Sequence, residues 1–247
     1  METVLTLVNY LERVGPGICL LVLFFLFVRP GPNLRIVMYI FAFVLVRDAM
    51  TPLGLWSFGA VNGALWIRLS ADPAFLVVFG IASLLLVMGL YALDKKNRHH
   101  LAWFQNGRLT GIFAGIAGAL IIVVPCALLY HGIEIELRGG PVASALLPAT
   151  FVFALLGNFL EEGLFRGYVL GWLKNTHGPM IAGTGSGLVF ALCHVFLATT
   201  VTGVGVPLLA FTVWEGMIAG LVGARFGIVP ASLAHGGAIF ILGSGLV

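Results

Sequence analysis

The residues able to do chemistry are concentrated in Asn158-Phe159-Leu160-Glu161-Glu162-Gly163-Leu164-Phe165-Arg166-Gly167, which has apolar sequence on both sides. Two carboxylates and a guanidinium in an apolar helix cost roughly 2.5–3.5 kcal/mol each to place in a membrane, so they mark a functional site by default. Glu162 and Arg166 stand at i and i+4 and can pair across one helical turn. Glu161 is rotated by about 100° from Glu162 and needs a different partner.

Depth supplies that partner. Lys174-Asn175-Thr176-His177-Gly178-Pro179 reads as a turn between two helices, with glycine ending one and proline starting the next. Glu161 lies about 13 residues, or ~20 Å, before Lys174, and His194 about 15 residues, or ~22 Å, after Pro179. His235 lies about ten residues, or ~15 Å, beyond Arg225 on a helix that starts from the same side. A glutamate with two histidines near mid-membrane has two uses. It can ligate a divalent metal such as zinc with an open position, or activate water directly while one histidine stabilises the oxyanion. Both predict hydrolysis, and the zinc-protease signature His-Glu-x-x-His is absent. Glu215 is a further acid in apolar sequence that should point into the bundle, as a site residue or as a structural hydrogen-bonding partner. Cys193 is about 100° around the helix from His194 and is not read as a nucleophile. His99 and His100 are expected to be solvated in a basic loop, and His131 and His177 to sit at helix ends.

The elements holding these residues follow from composition. The chain has 247 residues, 60% hydrophobic and only 9% charged, which excludes an ordinary soluble domain. A net charge of +3 without basic runs interleaved with aromatics excludes a nucleic-acid partner. Cys19, Cys126 and Cys193 have neither disulfide-framework nor metal-knuckle spacing. The start lacks the form of a cleaved signal peptide, and there is no C-terminal prenylation box.

Apolar segments fall at 14–28, 34–46, 52–67, 73–93, 109–130, 142–173, 179–199, 204–222 and 228–246. They predict an all-α polytopic transmembrane helix bundle with eight or nine membrane segments, embedded in a lipid bilayer. The segment 52–67 is short and interrupted by glycine, so it is expected to be re-entrant or tilted if it does not cross. If all nine cross, Arg13, Arg47, Lys95, Lys96, Arg98, Arg108, Arg166, Lys174 and Arg225 share one side, against Arg29, Arg35, Arg68 and Arg138, which places the N-terminus in the cytoplasm. The polar stretch 94–100 divides an N-terminal part, 1–108, from a core, 109–247, that holds the chemistry. Glycines one turn apart, at 167/171, 183/187, 216/220 and 223/227, predict close helix packing.

Glu161-Glu162-x-x-x-Arg166, Phe190-x-x-x-His194 and a histidine in the last helix resemble the motifs of the CAAX-protease and bacteriocin-processing (CPBP) family of intramembrane proteases, relatives of the Rce1-type prenyl-protein endopeptidases. The resemblance covers roughly 142–242. It implies that Glu161 is the general base, assisted by His194, that His235 helps form the oxyanion hole without a metal, and that Glu162 and Arg166 support them. It also implies a multi-pass protein of a prokaryotic plasma membrane. The substrate would be a membrane-associated protein or peptide, whether a prenylated C-terminal peptide, a leader peptide or a C-terminal membrane anchor. Its cavity would be lined by helices from residue 142 onward and open to the cytoplasm or sideways into lipid.

One position departs from the family pattern. An asparagine or aspartate is usual four residues after the last histidine, where this chain has Ile239. Asn158 or a backbone N–H near Gly236 would have to substitute. The departure also raises the alternative of a catalytically inactive membrane scaffold or immunity protein of the same fold. A proton-coupled transporter using Glu161, Glu215 and His194 has less behind it, since no inverted repeat is evident.

Overall fold

A computed structural model describes residues 2–247, with the side chains of residues 2, 3, 6 and 7 outside the description. The helices are α1 (Glu2–Val28), α2 (Pro32–Met50), α3 (Pro73–Leu93), α4 (Arg108–Leu129), α5 (Leu147–Gly157), α6 (Phe159–Glu162), α7 (Leu170–Leu173), α8 (Pro179–Leu192), α9 (Val206–Phe226) and α10 (Ile228–Gly243). π-Helical turns at Gly163–Val169 and Leu197–Val201 follow α6 and α8. Among the described residues, seven helical stretches are long and apolar enough to cross a membrane, with α5 to α7 forming one span over Ser144–Leu173, and α10 is an eighth, shorter apolar helix. The architecture is the polytopic helix bundle expected from the sequence.

The segment 52–67 is neither a crossing nor a re-entrant helix. It holds most of an antiparallel hairpin, β1 (Trp56–Val61) and β2 (Ala64–Leu69), with Val61 paired to Ala64 across a two-residue loop. Asn62 (φ 50°) and Gly63 (φ 80°) both take positive φ, the combination a tight hairpin turn of this length requires. Backbone this irregular is tolerated beside a membrane core only where protein covers it or a cavity adjoins it, and the hairpin meets both conditions. Ala64, Leu65 and Ile67 are buried with Ile122 and Cys126 of α4, Phe211 of α9 and Ala238 of α10. The Arg68 guanidinium donates to the carbonyls of Gly140 (2.8 Å) and Leu242 (3.0 Å), fastening the hairpin to the end of α10.

Glycine sets the helix spacing in the second half, as its one-turn repeats predict. A methyl group on Gly187 would stand 2.5 Å from the Gly216 carbonyl oxygen, and one on Gly183 2.9 Å from that of Gly220, so α8 and α9 touch backbone to backbone. On α4, a methyl on Gly115 would stand 2.6 Å from the Pro230 carbonyl oxygen, which seats α10 equally close. These contacts bring His194, Glu215 and His235 toward the span that holds Glu161. The first half packs onto the same core: Tyr10 and Val14 of α1, Met50 of α2 and Phe75 of α3 are buried with Ala149 and Phe153 of α5.

Polar ends fix the connections. Lys174 donates to the Ala224 carbonyl (2.6 Å) in the last turn of α9, and burial holds its amine below the ordinary lysine range. His99 is exposed as expected, but His100 is buried and lies against Gly171, where a Cβ would come within 2.6 Å of it. The missing side chain at 171 is what lets the loop fold down onto the span.

Candidate active site

The helix that carries the acidic pair is irregular on both sides of it. Asn158 breaks the ladder between α5 and α6 and donates its side-chain N–H to the Ala154 carbonyl at 2.7 Å. Beyond Glu162 the chain widens into the π-helical turn that contains Arg166. Such turns cost regular hydrogen bonding and are frequent at functional sites.

Glu162 and Arg166 pair as the i, i+4 spacing predicts, at 3.0 Å with neither side chain exposed. Arg166 also lies over the Phe190 ring, 4.5 Å from its centroid, and donates to the Gly216 carbonyl at 3.2 Å. The same Glu162 oxygen meets His235 Nδ1 at 2.8 Å, and His235 Nε2 lies 3.5 Å from Glu215. His235 is therefore held between two carboxylates from two other helical spans. Glu162 Oε2 and Glu215 Oε1 are buried with no hydrogen-bond partner among the described residues, so the network is not closed.

Glu161 points the other way. It makes no hydrogen bond or ion pair among the described residues and faces a cavity of about 430 Å³ that His194, Glu215 and His235 also line. The sequence brings Glu161, His194 and His235 to one depth, and the structure brings them, with Glu215, to one space. Asn158 and Ile239 line it as well, Ile239 as apolar wall. The Gly236 N–H lies inside α10, where the helical ladder uses it and where the residue abuts the Ala154 carbonyl, so it is not free to bind an oxyanion.

The cavity departs from expectation in its walls. Helices from residue 142 onward supply only part of them. Leu11 and Ile18 of α1, Phe43 and Arg47 of α2, Phe58 and Ile67 of the hairpin and Leu86 of α3 complete the enclosure. The two halves of the chain therefore share the site.

Arg47 is a polar residue of the site that sequence reasoning missed, having treated it as part of a connection. It is buried, and its Nη1 lies 3.1 Å from His194 Nε2. A guanidinium only donates, so Nε2 accepts, the ring proton resides on Nδ1, and Nδ1 donates to the Phe190 carbonyl at 2.8 Å. Asp48 Oδ1 braces the guanidinium from Nε (2.9 Å) and Nη2 (2.8 Å). The available signal was the Arg47-Asp48 pair itself, two charges at the end of an apolar run.

A bundle of apolar helices with carboxylates, two histidines and a guanidinium facing one internal cavity defines an integral membrane protein with a buried acid–base centre. Residues 143–241 match the Rce1-like family, described as type II CAAX prenyl endopeptidase Rce1-like. The matched stretch contains Asn158, Glu161, Glu162, Arg166, His194, Glu215 and His235, whereas Arg47, Asp48 and the cavity walls supplied by α1, α2, α3 and the hairpin lie outside it. No curated protein and no solved structure matches the chain.

Proposed function

We propose that the protein is an intramembrane endopeptidase in which Glu161 activates water for attack on a peptide carbonyl. The observation that carries this is the free Glu161 carboxylate, without a hydrogen-bond partner among the described residues, facing the cavity beside His194 and His235. Of the two groups the sequence pairs for water activation, Glu161 has open lone pairs, whereas the Nε2 lone pair of His194 is taken by Arg47. Glu161 accepts a proton from water while the oxygen bonds to the carbonyl carbon, and the carbonyl π pair moves onto its oxygen. His235 Nε2–H, at a loose 3.5 Å from Glu215, is the donor available to that oxyanion. Collapse breaks the C–N bond as Glu161 returns its proton to the leaving amine.

The donor set does not fit a zinc site. Three of the four histidine nitrogens are hydrogen-bonded, to Arg47, Phe190 and Glu162, which leaves only His235 Nε2, and a guanidinium stands where a dication would bind His194. No step is therefore routed through a metal.

Substrate access is sideways. Leu11 and Ile18 of α1 and Ala82 and Leu86 of α3 both line the cavity and are exposed on the lipid-facing surface, so a membrane-associated segment reaches Glu161 from the bilayer. The apolar walls suit a prenylated C-terminal peptide, a leader peptide or a C-terminal membrane anchor in extended form. With the hairpin removed from the crossings, Arg29, Arg35, Lys95, Lys96, Arg98, Arg108, Lys174 and Arg225 gather at one face, against Arg13, Arg68 and Arg138. By the positive-inside tendency that asymmetry favours a cytoplasmic 94–107 loop with both chain ends opposite, where nine crossings would favour a cytoplasmic N-terminus.

Replacing Glu161 with Gln keeps its volume and removes the base. Cleavage of membrane substrates should fall to the level of membranes lacking the protein, with thermal stability unchanged. Retained cleavage removes Glu161 from the role.

A further inference from the structure

We propose that Arg47 is a positioning residue of this site, fixing the tautomer and orientation of His194 from the half of the chain that lies outside the Rce1-like match. The inference rests on the peptidase reading for its consequence and on geometry for its content. Burying a guanidinium in an apolar span is costly, so it persists where its donors meet acceptors. Arg47 directs Nη1 to His194 Nε2 (3.1 Å) and Nη2 to the Cys193 carbonyl (2.6 Å), while Asp48 Oδ1 takes Nε (2.9 Å). The Cys193 carbonyl lies where α8 ends, before the π-helical turn, and is one of the acceptors a helix end leaves unpaired.

One fork therefore caps α8 and grips the imidazole that projects from that end. The ring is held at both nitrogens, by Arg47 at Nε2 and by the Phe190 carbonyl at Nδ1, which permits a single neutral tautomer. A cap alone would need only the Cys193 carbonyl. The contact with His194 adds a division of labour: the imidazole lone pair is covered, so His194 does not compete with Glu161 for the proton of water. A lysine has one point of charge and cannot span the three acceptors that the planar fork reaches.

The test combines a spectroscopic and a kinetic readout on the full chain. Solid-state 15N spectra of histidine-labelled protein in bilayers, with His194 assigned through His194→Gln, should show His194 protonated at Nδ1 and bare at Nε2. In Arg47→Lys and Arg47→Ala that signature should be lost. In isolated membranes, with Glu161→Gln as the zero, the rate at which wild-type-dependent peptide termini appear should fall about 10- to 100-fold in Arg47→Lys, as for loss of a charge-assisted hydrogen bond. Added ethylguanidinium should restore part of the rate to Arg47→Ala and none to Glu161→Gln. A His194 signal unchanged by either Arg47 substitution, or a wild-type rate in Arg47→Ala, overturns the proposal. Equal termini from wild type and Glu161→Gln would instead sink the peptidase reading, leaving the tautomer result to stand or fall separately.

Discussion

Glu162 lies 3.0 Å from Arg166 and 2.8 Å from His235 with no exposure, whereas its neighbour Glu161 faces the cavity without a partner among the described residues. The pairing neutralises one carboxylate and the cavity leaves the other open, which is the basis on which the proposed mechanism gives Glu162 a supporting role and Glu161 a chemical one. Removing one partner of a buried ion pair strands the other charge, at about 3–5 kcal/mol. Arg166→Met should therefore lower the thermal midpoint of the solubilised protein markedly, and Glu161→Gln should not; equal losses would deny the distinction. The Glu162–Arg166 pair was legible because it is local, set by helical spacing alone. Depth counting from the 174–179 turn brought Glu161, His194 and His235 to one level because helix rise is constant. The contact of His235 with Glu162 and of Arg47 with His194 was not legible, since each joins helices whose rotation about their axes depends on packing against neighbours.

At the scale of elements, the glycines of α8 and α9 decide where His194 and Glu215 stand. Gly187→Leu has no room beside the Gly216 carbonyl and must part the two helices, an overpacking cost of typically 1–3 kcal/mol. It should also reduce cleavage without touching a polar group of the site, as measured by activity per folded molecule. The one-turn glycine spacing predicted this contact, while the hairpin escaped the same sequence reading. Its glycines look like interruptions of an apolar helix, yet Asn62-Gly63 between β-branched and aromatic residues is a tight-turn signal, confirmed by positive φ at both. The loop onto Gly171 carries a pH dependence. Burial, with a smaller contribution from His99 and against an opposing one from Asp94, holds the His100 imidazole below its ordinary 6.5. The folded state then binds the proton less readily than the unfolded one, so the stabilisation is complete above 6.5 and is lost as pH falls below it. Thermal midpoints measured from about pH 7.5 down to about 5.5 should fall less steeply in His100→Gln than in wild type.

For the whole molecule, the two halves are structurally joined around one cavity, although the family match covers only residues 143–241. Composition made the bundle legible, because a chain this apolar and this poor in charge has few ways to fold outside a bilayer. Orientation depends on parity, because taking a single hairpin out of the crossings changes which side the positive-inside count favours. Cysteines placed at Lys96 and Asn62 should react with a membrane-impermeant reagent from opposite sides, Lys96→Cys from the cytoplasm; labelling of both from one side would contradict the eight-span topology. The most direct test of hydrolysis at Glu161 is a terminus-resolved mass-spectrometric comparison of membranes containing wild type or Glu161→Gln at matched levels. New peptide termini that arise only with wild type, and persist when a chelator is present, are the predicted result. Identical termini from the two proteins would contradict the account.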